Sequence, residues 1–523
     1  MPHTKLSRRG LIRSGAVLAA AGVRASAPEP AAASSARTLE PGTNLYQSIG
    51  VTPLVNCRGT YTIITGSQSL PEVKQAMEAA SHAYVHMDEL MEAVGQRLAD
   101  LTRAEWGIVT AGCAAALTHA TSACIAGGDP EKMQRVPNLT GLKSEVVAPR
   151  YSRNEYDHAV RMLGVKIIEV ETAAQLEAAL GPQTAMVMIL SCPAAEKGEL
   201  SIENTAAIAR RKGVPVLVDA AAETLTIPNL HLQHGANLVA YSGGKCLRGP
   251  QAAGLLLGQK DLVRAAWINS APHHAFGRSL KAGKEEIMGM LAAVEMWVKR
   301  DHAAEWKRWQ AWLDYIAGQA ARVPGVTSEI LQPEDLSNHA PRLRLHWDAA
   351  KTGITGTEVE EILLHGQPRI ALNEATGTRR DGRPSSITIM PYMMMPGDDK
   401  IAAAAIYKLL AQPPRITAAE PEAPAADVAG EWNLELTFIS GSSRHHMTIE
   451  QREGQLSGMH RGDILSGSLT GAVEGRRVVV RSGHRIEGTT LHYEFTGDVR
   501  GGHMDGVVRL GEYGQAKWTA ERA

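Results

Sequence analysis

One lysine of this sequence stands on a tight turn between two apolar runs. The segment LVAYSGGKCLRGPQAAGLLLG, residues 238–258, places Lys245 after a serine and two glycines, and a second buried-type run follows. A solvated surface lysine needs no such setting, whereas a lysine that bonds covalently to a carbonyl group needs a fixed position beside its partner. We therefore interpret Lys245 as a candidate covalent catalyst.

Two other motifs precede this turn. VPVLVDAAAE (214–223) ends an apolar run with Asp219, and VTAGCAAALTH (109–119) leads from an apolar run through small residues into a helical pattern. A carboxylate at the C-terminal edge of a parallel sheet lies where open α/β folds bind ligands, and it can pair with a protonated pyridine nitrogen. Amides that open a helix bind phosphate. The predicted phosphate and cofactor contacts are Thr110, Gly112, Cys113, Ala114 and Ser242.

Each feature alone has an ordinary explanation. Asp219 would serve as a helix cap, Gly112 as a simple turn and Lys245 as a surface side chain. Together they occur in the order phosphate loop, strand-end aspartate and lysine, with Lys245 lying 26 residues after Asp219. This order predicts a site for pyridoxal 5'-phosphate, and the sequence offers no Cys or His spacing typical of a metal site.

The elements around these motifs alternate between short apolar runs and helical segments. Near-continuous apolar strands separated by helices predict a parallel-rich sheet covered on both faces. The predicted divisions are an N-terminal segment and large domain over residues 37–300, a small α+β domain over 301–411 and a Pro/Ala/Glu linker over 412–427. One long helical region is expected from about Lys281 to Val323.

The last part of the chain, residues 428–523, follows a different pattern. WNLELTF places Trp432, Leu434, Leu436 and Phe438 on one face, and Gly-rich turns separate several runs of this kind. Period-two alternation predicts an antiparallel β-barrel or sandwich, interpreted as an accessory module. His445, His446, His460 and His503 offer a metal cluster as one reading, but we interpret them as scattered surface side chains.

The N-terminal residues 1–36 predict a twin-arginine export signal. Arg8 and Arg9 precede a short apolar run and a stretch of small residues, with cleavage expected between about Ala27 and Arg37. A disordered basic tail is the alternative. No apolar stretch is long enough to predict a transmembrane helix. Because the export signal directs the chain across the inner membrane, we expect a periplasmic protein. The formal net charge of -1 gives no overall electrostatic case for nucleic-acid binding.

The motifs resemble those of fold-type I pyridoxal-phosphate enzymes. SGGKCLRGPQAAGLLLG, VDAAAE and GRSLKAGKEEIMGMLAAVE are similar to the selenocysteine synthase (L-seryl-tRNA selenium transferase)-related family, and most to its D-glucosaminate-6-phosphate ammonia lyase-like branch. VNCRGTYTIITGS and ELMEAVGQRLADLTRAEWGIVTAGCAAAL extend the resemblance over roughly residues 45–410. The resemblance implies a mostly parallel seven-stranded-type sheet with helices on both faces, a small α+β domain and a homodimer or larger homo-oligomer whose site lies at a subunit interface.

The resemblance also implies roles for two residues. Lys245 would carry the cofactor as an aldimine, and Asp219 would pair with the pyridinium nitrogen. The selenium transferases usually have an acidic residue immediately before this lysine, where the present chain has Gly244. This departure argues against tRNA-dependent selenium transfer, and we expect no nucleic-acid partner.

We therefore expect an enzyme that acts on an amino acid or amino sugar acid. The favoured reaction is α,β-elimination of the ammonia-lyase type, with β-replacement, transamination and racemisation as alternatives that use the same residues. An exported ligand-binding protein with a relic fold is the alternative of another class. The substrate carboxylate needs a cation, ideally a guanidinium. The candidates are Arg58, Arg248 and Arg369.

Overall fold

A computed structural model describes residues 6–7, 42, 45–379, 383–417 and 422–523. Apart from the two-residue strand Leu6–Ser7, the predicted export signal lies outside these residues. The chain divides into two compact units, one of Met1–Ser152 with Ala159–Ala418 and the other of Arg153–His158 with Ala419–Ala523. The boundary after residue 418 falls inside the stretch where the linker is predicted.

A seven-stranded sheet forms the centre of the first unit. Its strands, labelled here in chain order, are β1 Trp106–Thr110, β2 Glu145–Pro149, β3 Lys166–Val170, β4 Thr184–Leu190, β5 Val216–Asp219, β6 Leu238–Ser242 and β7 Gly254–Gly258. Their spatial order is 3-2-4-5-6-7-1, and all neighbours are parallel except β7, which is antiparallel to β6 and β1. The predicted mostly parallel sheet is confirmed.

Helices cover both faces because the strands are apolar along nearly their whole length. The helix Gly112–Ala126 is itself buried almost all round, as expected of a helix at the centre of a large core. Between residues 71 and 299, the other helices of the first unit are Pro71–Ser81, Met87–Thr102, Pro130–Arg135, Ala173–Ala179, Ile202–Arg211, Leu230–Gln233, Lys260–Ile268 and Lys284–Lys299, and the short helix Asp157–Arg161 begins in the segment assigned to the second unit.

The predicted long helical region is two helices rather than one. Lys284–Lys299 ends at Arg300, and His302–Ala320 begins anew because the Asp301 side chain caps it by accepting a hydrogen bond from the Ala304 amide at 2.9 Å. The second helix belongs to the small α+β portion. The other helices there are Ala349–Thr352, Gly356–His365 and Asp398–Ala411.

The small portion has a four-stranded antiparallel sheet and a separate strand pair. The sheet comprises Thr327–Leu331, Arg342–Trp347, Ser385–Ile389 and Glu374–Thr376, in that spatial order. In the pair, Ile370–Leu372 lies parallel to Val55–Cys57, and Cys57 joins the core of the small portion. The N-terminal segment therefore contributes a strand to the part of the fold that follows residue 300.

The second unit is a closed eight-stranded barrel, which decides between the predicted barrel and sandwich. Its strands are Gly430–Thr437, Ser442–Arg452, Gln455–Arg461, Ser466–Glu474, Arg477–Ile486, Thr489–Arg500, His503–Arg509 and Gln515–Arg522. Each is antiparallel to the next, and the last pairs with the first. Trp432, Leu434 and Leu436 are buried in alternation with exposed neighbours, as the period-two pattern predicts.

No helix in the described part of the chain has both the length and the apolar character needed to cross a bilayer.

Candidate active site

The lysine turn joins β6 to β7 and is held by backbone contacts on several sides. The Gly244 carbonyl accepts from the Ser67 amide at 2.9 Å, and the Lys245 carbonyl accepts from the Arg248 amide at 3.0 Å. A Cβ atom on Gly244 would lie 2.7 Å from the Cα of Gln251, so an acidic side chain before the lysine would not fit. Lys245 itself is half-buried.

Arg300 fixes the turn from the opposite side. Its two terminal nitrogens donate to the carbonyl oxygens of Cys246 and Leu247 at 3.1 and 3.0 Å. Because one planar guanidinium holds two consecutive peptide groups, it restricts the backbone directly after Lys245. Arg300 was not among the residues predicted from the sequence.

Asp219 ends β5 and is almost fully buried, with 4% of its surface exposed. Its Oδ1 accepts from the Ala221 amide at 3.1 Å and from the Cys113 thiol at 3.6 Å. Burial raises the pKa of the Asp219 carboxyl, and the charge of Glu223 adds to this rise, while the Ala221 amide, the Lys245 ammonium and the Cys113 thiol oppose it. The structure thus places a buried acid close to the predicted catalytic amine.

The predicted phosphate contacts gather at the end of β1. Thr110 and Ser242 both lie opposite Gly254 in the sheet register, on its two sides. A Cβ atom on Gly254 would lie 2.3 Å from the carbonyl carbon of Gly112, so only glycine lets the start of the helix approach β7 this closely. The Thr110 hydroxyl donates to the Gly112 carbonyl at 2.8 Å.

The arrangement fits pyridoxal phosphate. The helix Gly112–Ala126 starts without a side-chain cap, since Ala111 occupies the capping position, and Ala114 in its first turn is exposed. These amides suit a phosphate group. A buried carboxyl such as Asp219 suits a cationic ring nitrogen, because an opposite charge offsets the cost of burying its ionised form.

The three arginines proposed for the substrate differ in their contacts. Arg369 donates to the carbonyls of Leu364 and Thr52 at 2.9 and 3.4 Å, which are structural contacts at a helix end. The Arg58 guanidinium lies 4.7 Å from the Tyr61 ring centre, and its buried Nε has no hydrogen-bond partner among the described residues.

Arg248 adopts a left-handed backbone conformation with φ of 53°. Its Nε donates to the Gln68 carbonyl at 3.2 Å, and burial lowers the pKa of its guanidinium, with the charge of Arg300 adding to the effect. Of the three arginines, Arg58 is therefore the one whose guanidinium makes the fewest hydrogen bonds to other described residues. All three substrate roles stay predictions.

A buried polar network beside Asp219 was not predicted. The Ser191 hydroxyl donates to the Glu223 carboxylate, and His231 Nε2 lies 2.5 Å from its other oxygen. The Cys246 thiol donates to the Glu223 backbone carbonyl at 2.9 Å, which links the network to the lysine turn. Glu223 is the last residue of VDAAAE, so the motif itself could have indicated a second acid near Asp219. Ser191 and His231 come from other segments and had no such signal.

The barrel histidines do not form the scattered set expected from the sequence. His460 is fully buried, with its Nε2 2.8 Å from His445 Nδ1 and its Nδ1 2.9 Å from His484 Nε2. The surface interpretation is therefore wrong for His460, and His484 was overlooked. His446 and His503 instead lie near acidic side chains, Glu431 and Asp505. Within the described ranges, no three His, Cys, Asp or Glu side chains are arranged to hold a metal.

Comparisons with known proteins agree with the fold and the cofactor class. Residues 51–266 match the sequence profile of the family described as Cys/Met metabolism PLP-dependent enzyme. The chain is 31% identical over 336 residues to D-glucosaminate-6-phosphate ammonia lyase of Salmonella typhimurium, an alignment covering 62% of this chain and 88% of that protein. A solved structure of a D-glucosaminate-6-phosphate ammonia lyase superposes with a TM-score of 0.62 at 28% identity, over 70% of this chain and 98% of that one.

Other relatives have different activities. The chain is 31% identical over 346 residues to 5'-C-glycyluridine monooxygenase-decarboxylase of a Streptomyces species, covering 63% of this chain and 84% of that protein. It is 27% identical over 207 residues to L-seryl-tRNA(Sec) selenium transferase of Proteus mirabilis, covering 35% and 43% respectively. One fold of this kind therefore supports more than one reaction, so the reaction has to be argued from the site.

Proposed function

The chain belongs to the fold-type I family of pyridoxal-phosphate-dependent enzymes that includes D-glucosaminate-6-phosphate ammonia lyase, and on that premise we propose that it is an ammonia-lyase-type enzyme. The proposed substrate is an amino acid or amino sugar acid with a leaving group at Cβ. The observation that carries the proposal is the 31% identity to the ammonia lyase over 88% of its length.

When bound, pyridoxal phosphate supplies an aldehyde that holds the substrate amine and a ring that withdraws electrons from Cα. The open amides at Gly112, Cys113 and Ala114 would hold the phosphate, and Asp219 would accept a hydrogen bond from the ring nitrogen. Because Asp219 is buried beside the Cys113 thiol, water does not compete for its carboxylate.

Lys245 would hold the cofactor before substrate arrives and take the Cα proton afterwards. The carbonyls next to it are fixed by Ser67, Arg248 and Arg300, so the amine returns to the same place in each cycle. The proton lost from Cα and the hydroxyl lost from Cβ together make one water. Hydrolysis of the carbon–nitrogen bond at Cα then consumes one water and releases ammonia and a keto acid.

The test is a product balance on purified enzyme. D-Glucosaminate 6-phosphate and a panel of β-hydroxy amino acids would be incubated without any acceptor, and ammonia and keto acid measured. Elimination gives the two in equal amounts. A reaction that needs an added nucleophile shows β-replacement, keto acid formed only with an amino-group acceptor shows transamination, and loss of optical activity alone shows racemisation.

We further propose that the enzyme is exported by the twin-arginine route and acts in the periplasm as a homodimer. The paired Arg8 and Arg9 support export, and the resemblance to fold-type I enzymes, which implies a site at a subunit interface, supports the dimer. Cell fractionation of the wild type and of a variant with both arginines changed to lysine tests the first point. Analytical ultracentrifugation of the mature protein tests the second.

A further inference from the structure

A cavity of about 700 Å³ lies next to the lysine turn, in the unit that contains Lys245. Cys246 and Arg248 line it, whereas Lys245 is not among its lining residues in the described part of the chain. The thiol of Cys246 donates to the Glu223 carbonyl. The charge of Lys245 lowers the pKa of Asp219 and of Cys113, against the rise caused by burial. The cavity is therefore lined by turn residues that follow Lys245 and, among the described residues, not by Lys245 or Asp219.

Aromatic and thioether side chains form most of its wall. Trp306 and Trp309 have ring centres 6.2 Å apart at an angle of 54°, and Trp309 meets Tyr392 at 5.8 Å and 77°. These rings are tilted or edge-on to one another instead of stacked face to face, a common arrangement of aromatic pairs. The apolar lining also includes Trp297, Trp312, Met393, Met394 and Met395.

The same wall carries more positive than negative charge. Within the described ranges, the guanidinium groups of Arg248, Arg300 and Arg308 line the cavity, against the one carboxylate of Glu305. Glu305 lies 3.8 Å from Arg300 and 3.9 Å from Arg308, so one acid is shared between two bases. The charge of Glu72 also raises the pKa of Arg248, against the lowering caused by burial. Counting Glu72, the three arginines still outnumber the two carboxylates.

Two buried donors at the cavity lack partners. The Tyr392 hydroxyl, on a side chain with 6% exposure, and the Arg300 Nε have no hydrogen-bond partner within the described ranges. The Cys246 sulfur beside the Tyr392 hydroxyl is only a weak acceptor, and its thiol proton is donated to the Glu223 carbonyl. Leaving a buried donor unpaired costs free energy unless a ligand or water completes it.

We propose that this cavity is a second ligand site, which binds a flat, apolar carboxylate such as an aromatic acid. The indole faces take the ring, while the excess guanidinium charge and the Tyr392 hydroxyl take the carboxylate. Its volume lies within the roughly 300–1,000 Å³ typical of small-molecule pockets. The inference is independent of which reaction Lys245 catalyses.

Calorimetric titration of full-length, cofactor-loaded protein with 2-naphthoate tests the proposal, with 2-naphthalenemethanol as the uncharged counterpart. We expect one naphthoate per chain, bound roughly tenfold or more tightly than the alcohol, because only the acid pairs with the guanidinium groups. Binding should persist after borohydride has fixed the cofactor in its own site. Loss of binding on reduction would place the probe at Lys245 and overturn the proposal.

Tyr392→Phe isolates the unpaired hydroxyl. Without ligand the variant should melt at the same temperature or higher, because an unsatisfied buried group is removed. With naphthoate its stabilisation by ligand should be smaller than that of the wild type. A purely structural Tyr392 hydroxyl would give the opposite pair of results, a lower melting temperature and unchanged ligand affinity.

Arg308→Gln tests the charge at the rim, where the side chain is half-exposed. Affinity for naphthoate should fall roughly fivefold with no change for the alcohol, since exposed ion pairs contribute up to about 1 kcal/mol. Arg322→Gln is the matched control, because its guanidinium stacks at 4.7 Å on Tyr407, outside the cavity lining. Equal affinity for both probes in the wild type, or no binding of either, would contradict the proposal.

Discussion

The two units of this protein bury ionisable side chains in contrasting ways. In the barrel, both ring nitrogens of His460 have partners: His445 on one side and His484 with Ser482 on the other. In the α/β unit, the carboxyl of Asp219 has one amide and one thiol as its hydrogen-bond partners among the described residues, and the charge of Lys245 acts on it. Polar groups that satisfy one another stabilise a structure, whereas a buried acid with incomplete contacts is arranged for a third partner. From this comparison we expect the chemistry in the first unit and a packing role for the buried histidines of the second.

The sharpest way to break this contrast is Lys245→Ala. The variant should lose about 10²–10⁴-fold in turnover, the range for a missing proton-transfer group. In the wild type, borohydride treatment followed by peptide mapping should find pyridoxyl on Lys245. A label on a different lysine would refute the central assignment.

Lys197→Ala provides the matched control for that experiment. Lys197 is exposed and lies outside the lysine turn, so its loss should change neither labelling nor turnover. The two variants together separate a specific amine from a general loss of positive charge.

Asp219→Asn should separate catalysis from stability. Turnover should fall by about 10²–10³-fold, comparable to the loss of one electrostatic contact in an active site. Burial raises the pKa of Asp219 above its usual 3.8, so its stabilising contribution is present below that pH and is lost as pH rises through the raised value. The cofactor-free variant should therefore melt at the same temperature as the wild type or higher at neutral pH.

Calorimetry of both proteins without cofactor measures this difference. A clearly lower melting temperature would show that the carboxylate is structural, and full activity would show that another group holds the ring nitrogen.

Regular secondary structure in both units explains which site residues and buried faces could be predicted from the sequence. The strand ends, Asp219, the small-residue turn at Gly112 and Lys245 are contiguous motifs, and parallel topology forces the ends of such strands to one edge. The period-two pattern likewise predicted the inward faces of the barrel strands. In both cases a local pattern determines a side chain's position because regular structure repeats it.

The contacts that sequence reasoning missed come from separate segments. Arg300 meets the lysine turn only because a helix ends there, and Ser191, Glu223 and His231 converge from three places in the chain. His484 escaped notice because the register across the intervening strand Ser466–Glu474, where Gly467 pairs with His460, brings it to His460. Such pairings depend on tertiary packing, which has no local signature.

Lowering the pH should reduce the stability of the barrel, because its buried histidines are paired in their neutral form. Burial, with the nearby His445 and His484, lowers the pKa of His460 from 6.5 to about 3. Its contribution to stability is present above about pH 6.5 and is lost as pH falls from there towards 3. Hydrogen-exchange protection of barrel strands in the full chain should drop by up to about tenfold per pH unit in this window.

His460→Gln should flatten that pH dependence, while His446→Gln, at a half-exposed position, should leave it unchanged. Protection factors correct for the chemical effect of pH on exchange. A barrel that keeps full protection down to pH 4 would show that the histidines titrate without opening it.

The smallest effect is expected from removing the barrel. A chain that ends at residue 420 retains the seven-stranded sheet, the lysine turn, Asp219 and the start of the helix at Gly112, because all of them lie in the first unit. We expect turnover, cofactor absorbance and oligomeric size to match those of the mature full-length protein, since the chain segment between the units is Pro-rich and its composition changes abruptly. Sedimentation, an absorbance spectrum and initial rates measured at equal active-site concentration provide the comparison. A truncated protein that dissociates, loses cofactor or slows markedly would show that the barrel supports the catalytic unit. The two units would then not have the separate roles, catalysis and packing, that the comparison gives them.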